Sequence, residues 1–111
     1  MNIISESHLA ATVLTITGEL TIDEADRFQR DVRENVNAFQ TNVIIDCSGL
    51  SLIDSVGLES LLWLSDEINR NGFKLNFVAV PEPVQRVFEL TRLDREFSTH
   101  ETVEAAARSV A

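Results

Sequence analysis

The sequence predicts an α/β domain with a mixed β-sheet of four to five strands and about four α-helices. Segments rich in β-branched residues alternate with segments whose apolar residues recur every three or four positions. The 111 residues, 44% of them hydrophobic, suffice for one core, and no linker, repeat or low-complexity segment divides them. Such alternation predicts right-handed crossovers between strands and parallel pairs in the centre of the sheet.

The expected strands are short and contain many β-branched residues. Residues 12–17 form one, and Gly18 is expected to end it. A short strand near residues 3–4 is expected to pair with it as a hairpin that turns through residues 7–8, which makes the sheet mixed. Three further segments are typical of extended chain: residues 42–47, residues 73–80 and the surroundings of Phe97.

The first two helices follow from apolar periodicity. Thr21 and Glu24 have the spacing of a capping box, so the first helix is expected to begin near Thr21. Its expected inner face consists of Ile22, Ala25, Phe28, Val32, Val36 and Phe39. The second helix is expected over residues 55–71, and Gly72 is placed to end it in a left-handed conformation. Its expected inner face consists of Leu58, Leu61, Leu62 and Ile68.

Two more helices are expected in the last third of the chain. Pro83 suits the first turn of the third helix. Its expected inward residues are Val84, Val87 and Phe88. Ser98 and Glu101 have capping-box spacing before the last helix. The apolar stripe of that helix consists of Val103, Ala106, Ala107 and Val110.

The charge balance narrows the class of partner. Eighteen acidic and nine basic residues give a net charge of −9, which repels nucleic-acid phosphates and anionic lipid head groups. No apolar run approaches the roughly 20 residues of a membrane span, and the first residues do not resemble a secretory signal. We therefore expect a protein that binds another protein and neither nucleic acid nor membrane. The single cysteine, Cys47, suits a reducing cytoplasm, and a monomer is the simpler expectation, although the sequence leaves the oligomeric state open.

No motif in the sequence indicates catalysis, a metal ion or a cofactor. His8 and His100 lack ligand spacing, and both the nucleophile elbow and the phosphate-binding glycine loop are absent. Cys47 ends a predicted buried strand, so we expect a packed, unreactive thiol. Trp63 is compatible both with an exposed anchor for a partner and with a packed side chain. We therefore expect no enzymatic activity.

The segment at the start of the second helix is the candidate site. In alternating α/β folds, partners engage the loops at the carboxyl ends of strands. Asp54 and Ser55 stand at such a position, where either side chain could serve simply as a helix cap. The positive end of the helix dipole also favours a phosphate on Ser55. Gly57 is expected to let another molecule approach the first helical turn.

The order of these motifs resembles that of the STAS domain, the fold of bacterial anti-sigma factor antagonists, over nearly the entire chain. The resemblance lies in the Gly-Glu-Leu segment at residues 18–20, the strand and loop at residues 43–50 and the helix at residues 84–91. Its most specific element is residues 53–58, which resemble the signature Asp-Ser-(Ser/Thr)-Gly-Leu. Arg92 stands where the family often has a glycine, which makes a left-handed cap less comfortable there.

The resemblance implies a phosphorylation-switched binding module. In the family, the serine after the aspartate is phosphorylated by a partner that is both anti-sigma factor and serine kinase, and a phosphatase resets it; here that serine is Ser55. ATP then belongs to the kinase, and no cofactor to this chain. The implied partner-binding residues are Asp54, Ser55, Val56, Gly57, Leu58, Glu19, Thr21 and Asp23.

An alternative function within the same fold is a constitutive structural subunit of a lipid-transport ABC complex, or a signalling scaffold. Two departures from the antagonist pattern favour it. Val56 replaces a common Ser or Thr, and Thr21 stands where many antagonists carry Asp.

Overall fold

The computed structural model describes residues 1–8, 11–35 and 40–110. After an initial pair of strands, strands and helices alternate through these residues, because each β-branched segment is followed by an amphipathic one. The elements in chain order are β1 (Asn2–His8), β2 (Ala11–Leu20), α1 (Ala25–Asn35), β3 (Asn42–Ile53), α2 (Ser55–Arg70), β4 (Leu75–Val78), α3 (Glu82–Leu90), β5 (Ser98–His100) and α4 (Val103–Val110).

The five strands form one sheet in the order β1-β2-β3-β4-β5. β1 is antiparallel to β2, whereas β2, β3, β4 and β5 are mutually parallel neighbours. The parallel pairs require crossovers, which the helices supply. This architecture confirms the predicted mixed sheet and α/β class.

The helices cover the two faces of the sheet unequally. Val43 and Ile45 face the large core that α1, α2 and α3 cover, whereas the intervening Ile44 packs with Ala106 and Ala107 of α4. Neighbouring residues of a strand point to opposite faces, so this separation follows from the pleat. The middle helix, whose first turn carries the candidate site, is held by the larger core.

The strands extend further than predicted. Ser7 and His8 do not form the hairpin turn, because they pair with Thr12 and Ala11 inside the ladder. Gly18 does not end β2; it adopts a φ of +97° beside a register shift, and the strand continues to Leu20. Glycine accepts that conformation without steric cost. The residues after position 47, predicted as a loop, likewise remain in β3 as far as Ile53.

The first helix begins later than predicted. Residues 21–24 form a turn in which the Glu24 N–H donates to the Thr21 carbonyl oxygen at 2.9 Å, and α1 starts at Ala25. Ile22 therefore does not join the inner face, and 66% of it is exposed. Phe28 and Val32 are buried as predicted. The expected inner residues Val36 and Phe39 lie outside the described part of the chain.

The second and third helices agree with their predicted positions. Gly72 follows α2 with a φ of +86°. Pro83 lies in the first turn of α3, and Val84 and Phe88 are buried. Arg92 adopts a φ of +63° after α3, the left-handed conformation expected where the family often has glycine. A side chain there is strained because its Cβ approaches the backbone.

The last helix has a different cap from the predicted one. Thr102 accepts a hydrogen bond on its Oγ1 from the Ala105 N–H at 3.1 Å. Ser98 cannot cap the helix because it belongs to β5, where it pairs with Asn76. Ala106 and Ala107 are buried as expected, whereas the side chain of Val110 lies outside what the structure describes.

Candidate functional site

The candidate site forms where β2 and β3 end side by side. Glu19 pairs with Leu52 and Leu20 with Ile53, so the two parallel strands deliver their following segments to the same edge of the sheet. After β2 the chain enters the 21–24 turn, and after β3 it enters α2 through Asp54. These two segments contain the predicted site residues except Glu19, which lies at the end of β2.

The Asp54 carboxylate joins these two segments. Its Oδ1 accepts from the Gly57 N–H at 2.8 Å, as an N-cap does, and its Oδ2 accepts from the Ile22 N–H at 2.9 Å. The Asp54 N–H in turn donates to the Leu20 carbonyl oxygen at 3.3 Å. Asp54 therefore acts as a helix cap and as a clamp on the 21–24 turn.

These hydrogen bonds also hold Asp54 in its ionised form. The N–H groups of Gly57 and Ile22 stabilise the carboxylate and lower its pKa below the usual 3.8, although desolvation acts in the opposite direction. A negative charge is therefore present beside Ser55 at neutral pH.

The clamp should make stability depend on pH in the acid range. Because the folded-state pKa of Asp54 is depressed, its contribution is fully present above 3.8 and is lost as the pH falls below that value. We expect Asp54→Asn to lower the urea midpoint of unfolding at about pH 6, with a difference from wild type that shrinks towards about pH 3. Asp23→Asn removes an equal charge from the same turn and is the control. A difference that keeps its size across this range would contradict the clamp.

Ser55 is the first residue of α2, and it is exposed. Its hydroxyl lies at the positive end of the helix dipole, directly after the ionised Asp54. Val56, the next residue, is partly buried. The arrangement offers an accessible hydroxyl at a helix start, with one carboxylate already occupying the capping position.

Gly57 and Leu58 are buried inside the protein, so neither offers a surface to a partner. Leu58 is only 6% exposed and packs in the large core. Gly57 is buried, and a Cβ placed on it would overlap the Leu20 carbonyl oxygen. The space expected to admit another molecule is therefore filled by the end of β2. Gly57 is needed for that close approach within the protein.

Glu19 and Asp23 are exposed and Thr21 is partly exposed. All three lie in or next to the turn whose Ile22 N–H bonds to Asp54. The structure thus brings the two groups of sequence-predicted residues to one edge of the sheet.

Two residues at this edge were missed by sequence reasoning. Ile22 is 66% exposed and Leu52 is 49% exposed, although both are large and apolar. The apolar periodicity predicts Ile22 on the inner face of the first helix, and only the late start of α1 shows that it lies on the surface. Leu52 carries no recognisable signal in the sequence, because its outward direction depends on the irregular pairing of β2 with β3.

Other reactive or aromatic side chains lie within packed structure. Burial raises the pKa of the Cys47 thiol to about 12, assisted by the nearby Asp46 carboxylate, so the thiol stays protonated. Trp63 is partly buried, and the Arg33 guanidinium lies 4.9 Å from its ring centroid, which favours the packed alternative. Within residues 1–8, 11–35 and 40–110, no three potential ligands are grouped as a metal site requires. No helix in that part is long and apolar enough to cross a membrane.

Comparison with known proteins shows which family the chain resembles in sequence and in fold. The STAS domain profile matches residues 2–106. The chain is 30% identical over 103 residues to the anti-sigma-F factor antagonist RsfB of Mycobacterium tuberculosis, covering 93% of this chain and 84% of that protein. A putative anti-sigma factor antagonist from Thermotoga maritima has a TM-score of 0.88 and 25% identity, covering 97% of this chain and 93% of that one.

The fold is also that of the anti-sigma factor antagonist SpoIIAA in its unphosphorylated form. The TM-score is 0.77 and the identity 20%, with 97% of this chain and 96% of that one covered. Family profile, relative and structures agree, and the chain therefore belongs to the STAS domain family, among its anti-sigma factor antagonists.

Proposed function

We propose that this protein is an anti-sigma factor antagonist that binds an anti-sigma factor with serine kinase activity and releases it when Ser55 is phosphorylated. The observation that carries the proposal is the exposure of Ser55 at the first position of α2, beside the clamp that Asp54 forms. The 30% identity to an anti-sigma-F factor antagonist supports the choice of partner class.

The chemical step belongs to the partner. The kinase transfers the γ-phosphoryl group of ATP to Ser55 Oγ. An O–P bond forms at the serine, the bond to the β-phosphate oxygen breaks and ADP departs with its electron pair, and a base of the kinase takes the hydroxyl proton. This chain supplies only the accessible hydroxyl. It needs no cofactor and catalyses no reaction of its own.

Phosphorylation would act through charge and bulk. The phosphoryl group adds about −1.5 to −2 charges at neutral pH. The Asp54 carboxylate beside it is already ionised, because its pKa is lowered. A partner fitted to the unmodified edge would meet new negative charge and three further oxygens where it formerly met a hydroxyl. A phosphatase that removes the group would restore binding.

Phosphorylation of Ser55 is tested with purified kinase. We expect one anti-sigma-type serine kinase of the source genome, incubated with this protein and ATP, to add one phosphate, which mass spectrometry locates on Ser55. Ser55→Asp and the phosphorylated protein are expected to lose binding to that kinase in calorimetry. Ser51→Ala is the matched control. Ser51 is an exposed serine of the same segment, with its hydroxyl donating to the Gly18 carbonyl oxygen at 3.1 Å.

Two results would contradict the proposal. Phosphate on another residue, with Ser55 unmodified, would remove the assigned switch. If no such kinase binds, and a transporter ATPase co-purifies with wild type and Ser55→Ala alike, the constitutive-subunit alternative is correct.

A further inference from the structure

Two of the four large apolar side chains exposed in the described part of the chain lie close in sequence to the candidate site. The large hydrophobic residues exposed in the described part of the chain are Ile4, Ile22, Leu52 and Leu90. Ile22 lies in the turn that Asp54 holds, and Leu52 lies on β3 two positions before Asp54. Ile4 lies on β1 and Leu90 at the end of α3. Isolated exposed apolar side chains are common on protein surfaces, so the case for Ile22 depends on what surrounds it.

Ile22 is held in place before any partner arrives. Its N–H donates to Asp54 Oδ2 at 2.9 Å, and the 21–24 turn is closed by the bond from the Glu24 N–H to the Thr21 carbonyl oxygen at 2.9 Å. A side chain on an ordered backbone loses less conformational entropy on binding than one on a mobile loop. The Asp54 clamp therefore fixes the Ile22 backbone next to Ser55.

The charge around Ile22 is mainly negative, although Glu24 also lies 3.8 Å from the Arg27 guanidinium and 3.8 Å from the amino group of Met1. Residues 17–26 and 48–59, which build the edge, contain six carboxylates and neither lysine nor arginine. The carboxylates belong to Glu19, Asp23, Glu24, Asp26, Asp54 and Glu59. A partner surface that covers the edge must therefore be basic to be electrostatically complementary. The same field would speed association with such a surface at low ionic strength.

From these observations we infer that Ile22 is the apolar anchor of the interface that Ser55 controls. The occupant is a protein surface with an apolar pocket for Ile22, bordered by arginine or lysine side chains that face the carboxylates. Asp54 is a positioning residue for this anchor. The inference rests on the proposed function, since it describes how the kinase partner recognises the unphosphorylated site.

The test measures the affinity of each variant for the kinase that phosphorylates Ser55 in the experiment above. ATP is left out, so that Ser55 stays unmodified. Ile22→Ala is expected to weaken binding roughly thirtyfold, as truncation of a central interface residue does. Ile4→Ala and Leu90→Ala remove exposed apolar side chains elsewhere and are expected to bind as wild type does. Raising the salt concentration from about 50 to about 300 mM should slow association of wild type and Ile22→Ala by the same factor, because the carboxylates are untouched. Circular dichroism should show that all variants melt as wild type does.

The outcomes separate the two claims. If wild type binds the kinase and Ile22→Ala binds equally well, or the Leu90 variant is equally weakened, the anchor assignment is wrong while the switch remains. If association is insensitive to salt, the basic rim is wrong. If wild type binds no anti-sigma-type kinase, the proposed function fails and the anchor with it.

Discussion

Gly57→Ala is expected to lower the free energy of unfolding by about 3 kcal/mol, as overpacking against backbone does. The added Cβ would overlap the Leu20 carbonyl oxygen and press on the Ile53 side chain. Backbone at the end of β2 cannot move aside without breaking the bond between the Asp54 N–H and that carbonyl oxygen. The gain of about 1 kcal/mol from replacing glycine inside a helix is smaller than this cost.

Urea unfolding followed by circular dichroism measures the Gly57 effect. A loss of this size corresponds to a fall of about 10 °C in melting temperature for a domain of this length. Glu59→Ala lies two positions further along the same helix, on its exposed side, and should stay within about 0.5 kcal/mol of wild type. If Gly57→Ala were as stable as the control, the close packing of α2 on the end of β2 would be disproved.

Phe88→Ala is expected to have the largest effect, a loss of about 4 kcal/mol. Phe88 is fully buried and its ring centroid lies 5.6 Å from that of Phe77 and 5.2 Å from that of Phe97. Phe77 and Phe97 are themselves 4.7 Å apart, so the three rings form one cluster between α3 and the sheet. Truncation removes apolar contact with both partners and leaves a cavity that neighbouring rings cannot fill.

The Phe88 prediction has a matched control on the same helix. Leu90 is 79% exposed, so Leu90→Ala should change the free energy of unfolding by no more than about 0.5 kcal/mol. Equilibrium denaturation of both variants measures the difference. A small loss for Phe88→Ala, or equal losses for the two variants, would contradict the packing of α3 through this cluster.

The sequence predicts where the candidate site lies along the chain, but not which contacts hold its residues in place. Asp54 and Ser55 could be located because a polar pair before an apolar helix marks its start. That the Asp54 carboxylate also binds the Ile22 N–H, 32 positions earlier in the chain, could not be predicted, because no local pattern reports a contact between two loops. The same limit applies to Gly57, whose role depends on where the end of β2 lies.

The pattern of residues alone was sufficient for the fold class, the succession of strands and helices and the inward faces of α2 and α3. Alternation and helical periodicity report which side chains must leave water, and burial of those side chains dominates folding. Tertiary structure decided where β2 and β3 end, the late start of α1 and the exposure of Ile22. These features depend on hydrogen bonds and close approaches between segments far apart in sequence, whose energies local preferences do not contain.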